Sequence, residues 1–220
     1  MNTSADFIDN SSPFDFLSFD FIAPQPTQDT ELLKQLSFIP GLKEILMVRQ
    51  VHALEHATVW VLSEVKNTLS PTARPSKIQI DDELLGGLST DQGFYIYGEV
   101  NISDLRRAVT VALHRLIHGE WDLALHPRCG TNLSVAMLLT AGLAVGVNLI
   151  LPLRPVEQLI GLGLAATTAS ELAPDLGLIA QRYITTAIPF NLVVENITVS
   201  RDVWGRQAHF IKVNWQENNL

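Results

Sequence analysis

One cysteine, Cys129, stands in 220 residues, so the chain forms no internal disulfide and suits a reducing compartment. Basic residues are scarce as well: 15 against 23 acids leave a formal charge of −8. No Lys/Arg cluster is long enough to track a phosphate backbone, which argues against a nucleic-acid partner. The start of the chain lacks a basic segment followed by an apolar run, so no cleavable secretory signal is expected. Charge itself is missing from Cys129 to Leu153, with Arg128 and Arg154 at the two ends. What is plentiful is apolar material, 47% of residues, enough to bury a core in one or two compact units.

Residues 1–28 contain Asp6, Asp9, Asp15 and Asp20, no Lys or Arg, and five of the nine phenylalanines, with Phe-Asp-Phe at 14–16 and again at 19–21. Such a composition predicts a flexible tail that docks its rings into a partner groove or folds back on its own domain. After Pro40-Gly41, the periodic segment Leu42 to Thr68 predicts a long helix ended by Ser70-Pro71. Arg49, His52, Glu55, His56 and Ser63 share one face of it, and apolar residues fill most of the rest, so the helix is expected to be buried. Lys77–Ile80 and the aromatic run Gly93–Gly98 predict strands, and Ser103 is the expected N-cap of a helix from Asp104 to about His118. Asn191 to Trp215 predicts a C-terminal β-hairpin. The fold class is therefore α+β, divided into a tail (1–28), a mixed domain (29–128), a two-helix membrane hairpin (129–173) and a C-terminal segment (174–220).

The hairpin follows from the uncharged stretch. A bilayer core needs about 20 apolar residues in a helix, and flanking arginines can snorkel to the headgroups. A second, weaker segment runs from Val156 to about Leu172. Gly142 and Gly146 in the first segment, and Gly161 and Ala165 in the second, are four apart, a spacing that lets membrane helices approach closely. Membrane lipids are the expected surroundings, and other membrane proteins are candidate partners through Gly142, Gly146 and the Phe/Asp tail. Both segments can alternatively be core helices of a soluble protein. An even number of spans keeps the mixed domain and the C-terminus on one side. Arg115 and Arg128, against the lone Arg154 in the turn, assign that side to the cytoplasm.

The pattern most suited to chemistry is His52-Ala53-Leu54-Glu55-His56. Residues at i and i+4 lie one turn apart on one helix face, so both imidazoles can converge on a divalent metal with a carboxylate beside them. His-x-x-Glu-His is also the motif of inverted zinc peptidases, in which the histidines hold zinc and the glutamate takes a proton from water. The resemblance to those enzymes spans five residues and implies His52 and His56 as zinc ligands and Glu55 as general base. Glu120, His126 and Cys129 are the available third ligands. Arg49, one turn before His52, opposes a dication unless it pairs with a carboxylate or an anionic substrate. In the competing reading the three residues form a buried polar network that orients the helix. His114 and His118 repeat the spacing on the later helix, where a solvated or packing role is expected.

A longer pattern resembles a known family. Ile39-Pro40-Gly41-Leu42, Arg49 to Thr58, Gly93-Phe94-Tyr95, His126 to Asn132, Gln181-Arg182-Tyr183 and Thr185-Thr186 are similar to an uncharacterised family of presumed integral membrane proteins, found mainly in cyanobacteria. The resemblance covers most of residues 36–190 and implies a thylakoid or plasma membrane address with no established activity. Three functions remain open: a zinc-dependent hydrolase built on His52, His56, Glu55 and one of His126 or Cys129, a non-catalytic membrane assembly or scaffold protein, and structural metal binding without turnover.

Overall fold

The computed structural model describes residues 23–68, 82, 84–150 and 155–217. The tail up to residue 22, the strand expected at Lys77–Ile80 and the turn at Leu153-Arg154 lie outside the described residues. Among the described residues, five helices and a four-stranded antiparallel sheet give the expected mixed architecture.

Helix α1 spans Gln28–Gln35, and α2 spans Leu42–Thr68 as its periodicity predicts. Gly41 opens α2 with φ of 81°, a left-handed conformation that costs glycine little. From Gln50 to Ser63 every residue of α2 except His52 is buried. This happens because α2 is covered by α3 (Ile102–Ile117), by β1 (Gly86–Thr90) and β2 (Gly93–Tyr97), and by a 3-10 turn at Trp121–Ala124. Helix α3 turns Leu105, Ala108, Val109, Ala112 and Leu116 inward at helical spacing. Its cap is Asn101 rather than Ser103: the Asn101 side chain accepts from the Ser103 amide at 2.8 Å. Asparagine caps as well as serine does, so the earlier residue takes the orphan amide and the helix starts two residues sooner than expected.

Strands β3 (Leu192–Arg201) and β4 (Gln207–Trp215) form the expected C-terminal hairpin. The hairpin does not stand alone. β4 pairs with β2, giving the order β1-β2-β4-β3 and setting Ile211 opposite Phe94. Phe94, Ile96, Ile211 and Val213 are buried in the same core as Val51, Leu54 and Ala57 of α2. Strands from before and after the α4–α5 pair thus build one core around α2.

Helices α4 (Gly130–Ile150) and α5 (Pro155–Ala180) form an antiparallel pair, since Asn132 near the start of α4 accepts from Gln181 just beyond α5 at 2.7 Å. α5 continues past its expected end near Leu172 and through Pro174. Its buried residues Gly161, Ala165, Ala169, Ala173 and Gly177 fall four apart and make the seam with α4. Small residues on one helix suffice for close approach when the other supplies the side chains. The glycines of α4 do not serve this seam, because a Cβ at Gly142 or Gly146 would meet nothing within 4 Å. Leu133, Met137, Leu138, Leu149, Val156 and Leu159 face outward. Among the described residues one helix, Gly130–Leu149, is long and apolar enough to cross a membrane, with mean hydropathy 1.6 and none of its window buried. α5 carries Glu157, Glu171 and Asp175 and does not pass the same test.

Candidate metal centre

Helix α2 presents His52 and His56 one turn apart, their ring centroids separated by 4.3 Å. Cys129 reaches them from the short segment that leaves the 3-10 turn and immediately precedes α4, with Sγ 3.2 Å from His52 Nε2. One donor atom from each of the three residues lies within 4.8 Å of the others. The orientation of both rings has a clear cause. His52 Nδ1 donates to the Thr185 carbonyl at 3.0 Å, and His56 Nδ1 donates to the Ala124 carbonyl at 2.7 Å. A carbonyl oxygen only accepts, so each Nδ1 holds a proton, and in the neutral form of either ring the lone pair lies on Nε2.

Both carbonyls come from helix ends, where the backbone lacks intrahelical partners. Thr185 closes a π-turn, Gln181–Thr185, that follows α5, and Ala124 closes the 3-10 turn. Arg49 uses the same end of α5: its Nη2 donates to the carbonyls of Tyr183 at 3.2 Å and Thr186 at 3.1 Å. A cation on the negative end of a helix is favourable, which answers the expectation that Arg49 would need a carboxylate or an anionic substrate. The Ala187 amide bonds back to the Arg49 carbonyl at 3.0 Å, completing the clamp between α2 and α5.

Glu55 is buried and accepts from the Ser89 hydroxyl at 2.8 Å. Burial pushes its carboxyl above the ordinary value, with the His52 ring and the Ser89 hydroxyl pulling in the opposite direction. β1 passes so close that a Cβ on Gly87 would collide with the Glu55 carboxylate, so any side chain there would force the carboxylate to move. Burial alone would raise the Cys129 thiol. The His56 ring and the Thr131 backbone and side-chain bonds outweigh burial and hold the thiol below its usual range.

His52, Glu55, His56, His126 and Cys129 all line one cavity of about 450 Å³. His126 stands outside the three-donor group. Its ring lies 5.6 Å from His56 and 4.6 Å from Trp60, and its Nδ1 accepts from the Arg128 amide at 3.2 Å. Glu120 is held elsewhere by Arg115 at 2.7 Å, and the His114 and His118 rings stack at 3.9 Å on α3. Of the third ligands open in the sequence, the structure brings Cys129 to the pair. Ser89, Gln181 and the carbonyls of Ala124 and Thr185 are supports that sequence reasoning missed. Gln181 and Thr185 lie inside the family-like motifs, but a backbone carbonyl leaves no mark on residue identity.

A family model described as a domain of unknown function (DUF6391) matches residues 47–197. The chain belongs to this family. An uncharacterized protein of Picosynechococcus sp. (strain ATCC 27264 / PCC 7002 / PR-6) is 51% identical over 202 residues, covering 92% of this chain and 96% of the relative. No solved structure matches the chain. The DUF6391 region holds His52, Glu55, His56, Cys129 and both carbonyls that orient the rings, whereas α1 and β4 fall outside it.

Proposed function

We propose that this DUF6391 protein is membrane-anchored and binds zinc through His52 Nε2, His56 Nε2 and Cys129 Sγ at a hydrolytic centre in which Glu55 accepts a proton. The observation that carries the reading is the pair of Nδ1 bonds to the Thr185 and Ala124 carbonyls, which leave Nε2 of each ring for a metal, with His52 Nε2 3.2 Å from the Cys129 thiol and the donors of all three residues within 4.8 Å. Two imidazoles and a thiolate suit zinc, and three protein ligands leave a fourth position open, as catalytic sites do. Nitrogen and sulfur donors of a tetrahedral zinc site stand about 3.5 Å apart, so donors within 4.8 Å need only small side-chain rotations. Copper also takes two histidines and a cysteine, but with a long axial methionine, and no methionine is among the described residues that line the cavity.

Bound zinc would supply Lewis acidity toward a carbonyl or phosphoryl oxygen. Glu55 faces the same cavity and would accept the proton of an attacking water, oriented by Ser89. Membrane anchoring is supported by Gly130–Leu149, which begins one residue after Cys129 and would put the centre at headgroup level. α5 returns beside α4, so a paired crossing would keep the mixed domain and the C-terminal strands on one side.

The test is metal analysis of the full chain purified in neutral detergent. Stoichiometric zinc in the wild type, lost in His52→Ala and His56→Ala, is expected. Glu55→Gln should keep the metal and lose turnover against a panel of peptide and ester substrates. Folded wild-type protein that takes up no zinc would overturn the reading.

A further inference from the structure

One wall of the cavity that holds the candidate metal centre is Leu85, Gly86, Gly87, Leu88 and Ser89, in unbroken sequence. Successive side chains of a strand point to opposite faces, so consecutive residues line one cavity only through the main-chain edge of the strand. We propose that this edge of β1 receives an extended polypeptide as an added strand, which makes a peptide the substrate class of the centre. The chemistry rests on the hydrolytic reading above, whereas the strand site does not need the metal.

β1 stands at the end of the order β1-β2-β4-β3, and the register decides which of its groups face outward. The Val213 amide donates to the Gln92 carbonyl at 3.1 Å, and the same pairing continues through Phe94 with Ile211 and Ile96 with His209. Even-numbered residues of β2 therefore turn their main-chain groups toward β4. Gly93, Tyr95 and Tyr97 turn toward β1, where their partners are Thr90, Leu88 and Gly86. Gly87 and Ser89 are left with N–H and C=O on the open side, and among the described residues no main-chain group meets them there. Gly87 is exposed, and without a side chain that exposure belongs to the main chain itself.

The open pair lies beside the groups proposed for the chemistry. The Glu55 carboxylate packs against Gly87 and accepts from the Ser89 hydroxyl at 2.8 Å, and His52, His56 and Cys129 line the same space. Arg128 Nη2 donates to the carbonyls of Asp82 at 2.9 Å and Leu85 at 3.3 Å, closing the edge just before it opens. A strand paired to Gly87 and Ser89 runs about 4.8 Å from β1, hence through the cavity, whose 450 Å³ suits a few residues. Main-chain pairing holds the peptide whatever its side chains are. Hydrolysis there adds water across the C–N bond: the oxygen joins the carbonyl carbon, and the proton accepted by Glu55 passes to the leaving nitrogen.

The test uses the full chain in neutral detergent, treated with a chelator so that binding is read without turnover. A fluorescein-labelled peptide of about six residues, rich in threonine and valine, should bind by anisotropy and slow hydrogen exchange at the Gly87 and Ser89 amides about tenfold or more. N-methylation of every second residue leaves one peptide edge able to donate and should keep the affinity. N-methylation throughout should weaken it about tenfold or more. No binding overturns the proposal, as does binding that spares the β1 amides or survives full N-methylation. Amides of β1 already protected in the free chain assign the edge to the chain's own residues 69–81 and overturn it too. A zinc-loaded chain that cleaves a short acyl ester but not the peptide overturns the peptide as substrate class. A chain that binds the peptide but takes up no zinc keeps the strand site and overturns the hydrolytic reading instead.

Discussion

His52 Nδ1 donates to the carbonyl of Thr185 at 3.0 Å, joining residues 133 positions apart. That bond makes the end of α5 part of the candidate metal centre, because the carbonyl fixes which nitrogen of the ring remains available. A Thr131 hydroxyl 3.1 Å from that of Thr185 ties the start of α4 to the same point. The apolar hairpin is thus coupled to the orientation of the His52 ring, not merely attached to the domain that carries it.

Gln181 tests this coupling. Fully buried, it accepts from the His126 amide at 2.8 Å and donates to Asn132 Oδ1 at 2.7 Å. Gln181→Leu leaves both partners unmet and should cost about 1–3 kcal/mol for each. By loosening the segment that bears Thr185 and Cys129 it should also weaken zinc binding about 10–100-fold, read by competition with a chelator.

Gly87 and Glu55 should behave as one unit. Gly87→Ala drives a methyl into the carboxylate and should destabilise the protein by about 1–3 kcal/mol in denaturant melts. Combining it with Glu55→Ala removes the colliding group, so the double variant should be more stable than the sum of the singles predicts. Strict additivity would show that the two positions do not touch.

The hairpin seam makes an asymmetric prediction. Gly177→Ala pushes a methyl into the Asn132 side chain and backbone and should cost about 1–3 kcal/mol. Gly142→Ala, with open space at the site, should change stability by no more than about 0.5 kcal/mol. Melts of both variants in the same detergent decide the matter.

The β3–β4 turn supplies a pH dependence. Burial alone would raise Asp202, but the Arg206 amide at 2.8 Å, the Tyr97 hydroxyl at 2.8 Å, the Arg206 Nε at 2.7 Å and the Trp204 amide at 2.9 Å hold it at about 2. Tyr97, through burial and then Asp202, is pushed up to about 12 and stays a donor at neutral pH. An unfolded aspartate titrates near about 3.9. The folded value is depressed, so the stabilisation is complete above about pH 4 and is lost as pH falls toward about 2. Asp202→Asn should melt lower at neutral pH and lose that acid-side decline, measured by melts across the interval.

Local features were the readable ones. α2 was legible because apolar periodicity, Pro40-Gly41 and Ser70-Pro71 act over a few residues, and the His52/His56 pair because four residues make one turn. The N-cap was misplaced by two residues, since Asn101 and Ser103 are chemically equivalent for that task. The small-residue seam was only half legible: Gly161 and Ala165 carried its start, but Gly142 and Gly146 share the pattern and face open space.

By itself the sequence determined that two imidazoles and a carboxylate ride on a buried helix and that a long uncharged helix follows Cys129, because periodicity, capping and hydropathy depend on near neighbours. Only the tertiary structure decided that Cys129, not His126 or Glu120, joins the imidazoles, that Thr185 and Ala124 orient them, and that the last strand completes the sheet beside β2. Those choices depend on where carbonyls and chain ends arrive after folding, and a backbone oxygen is the same atom whatever residue carries it.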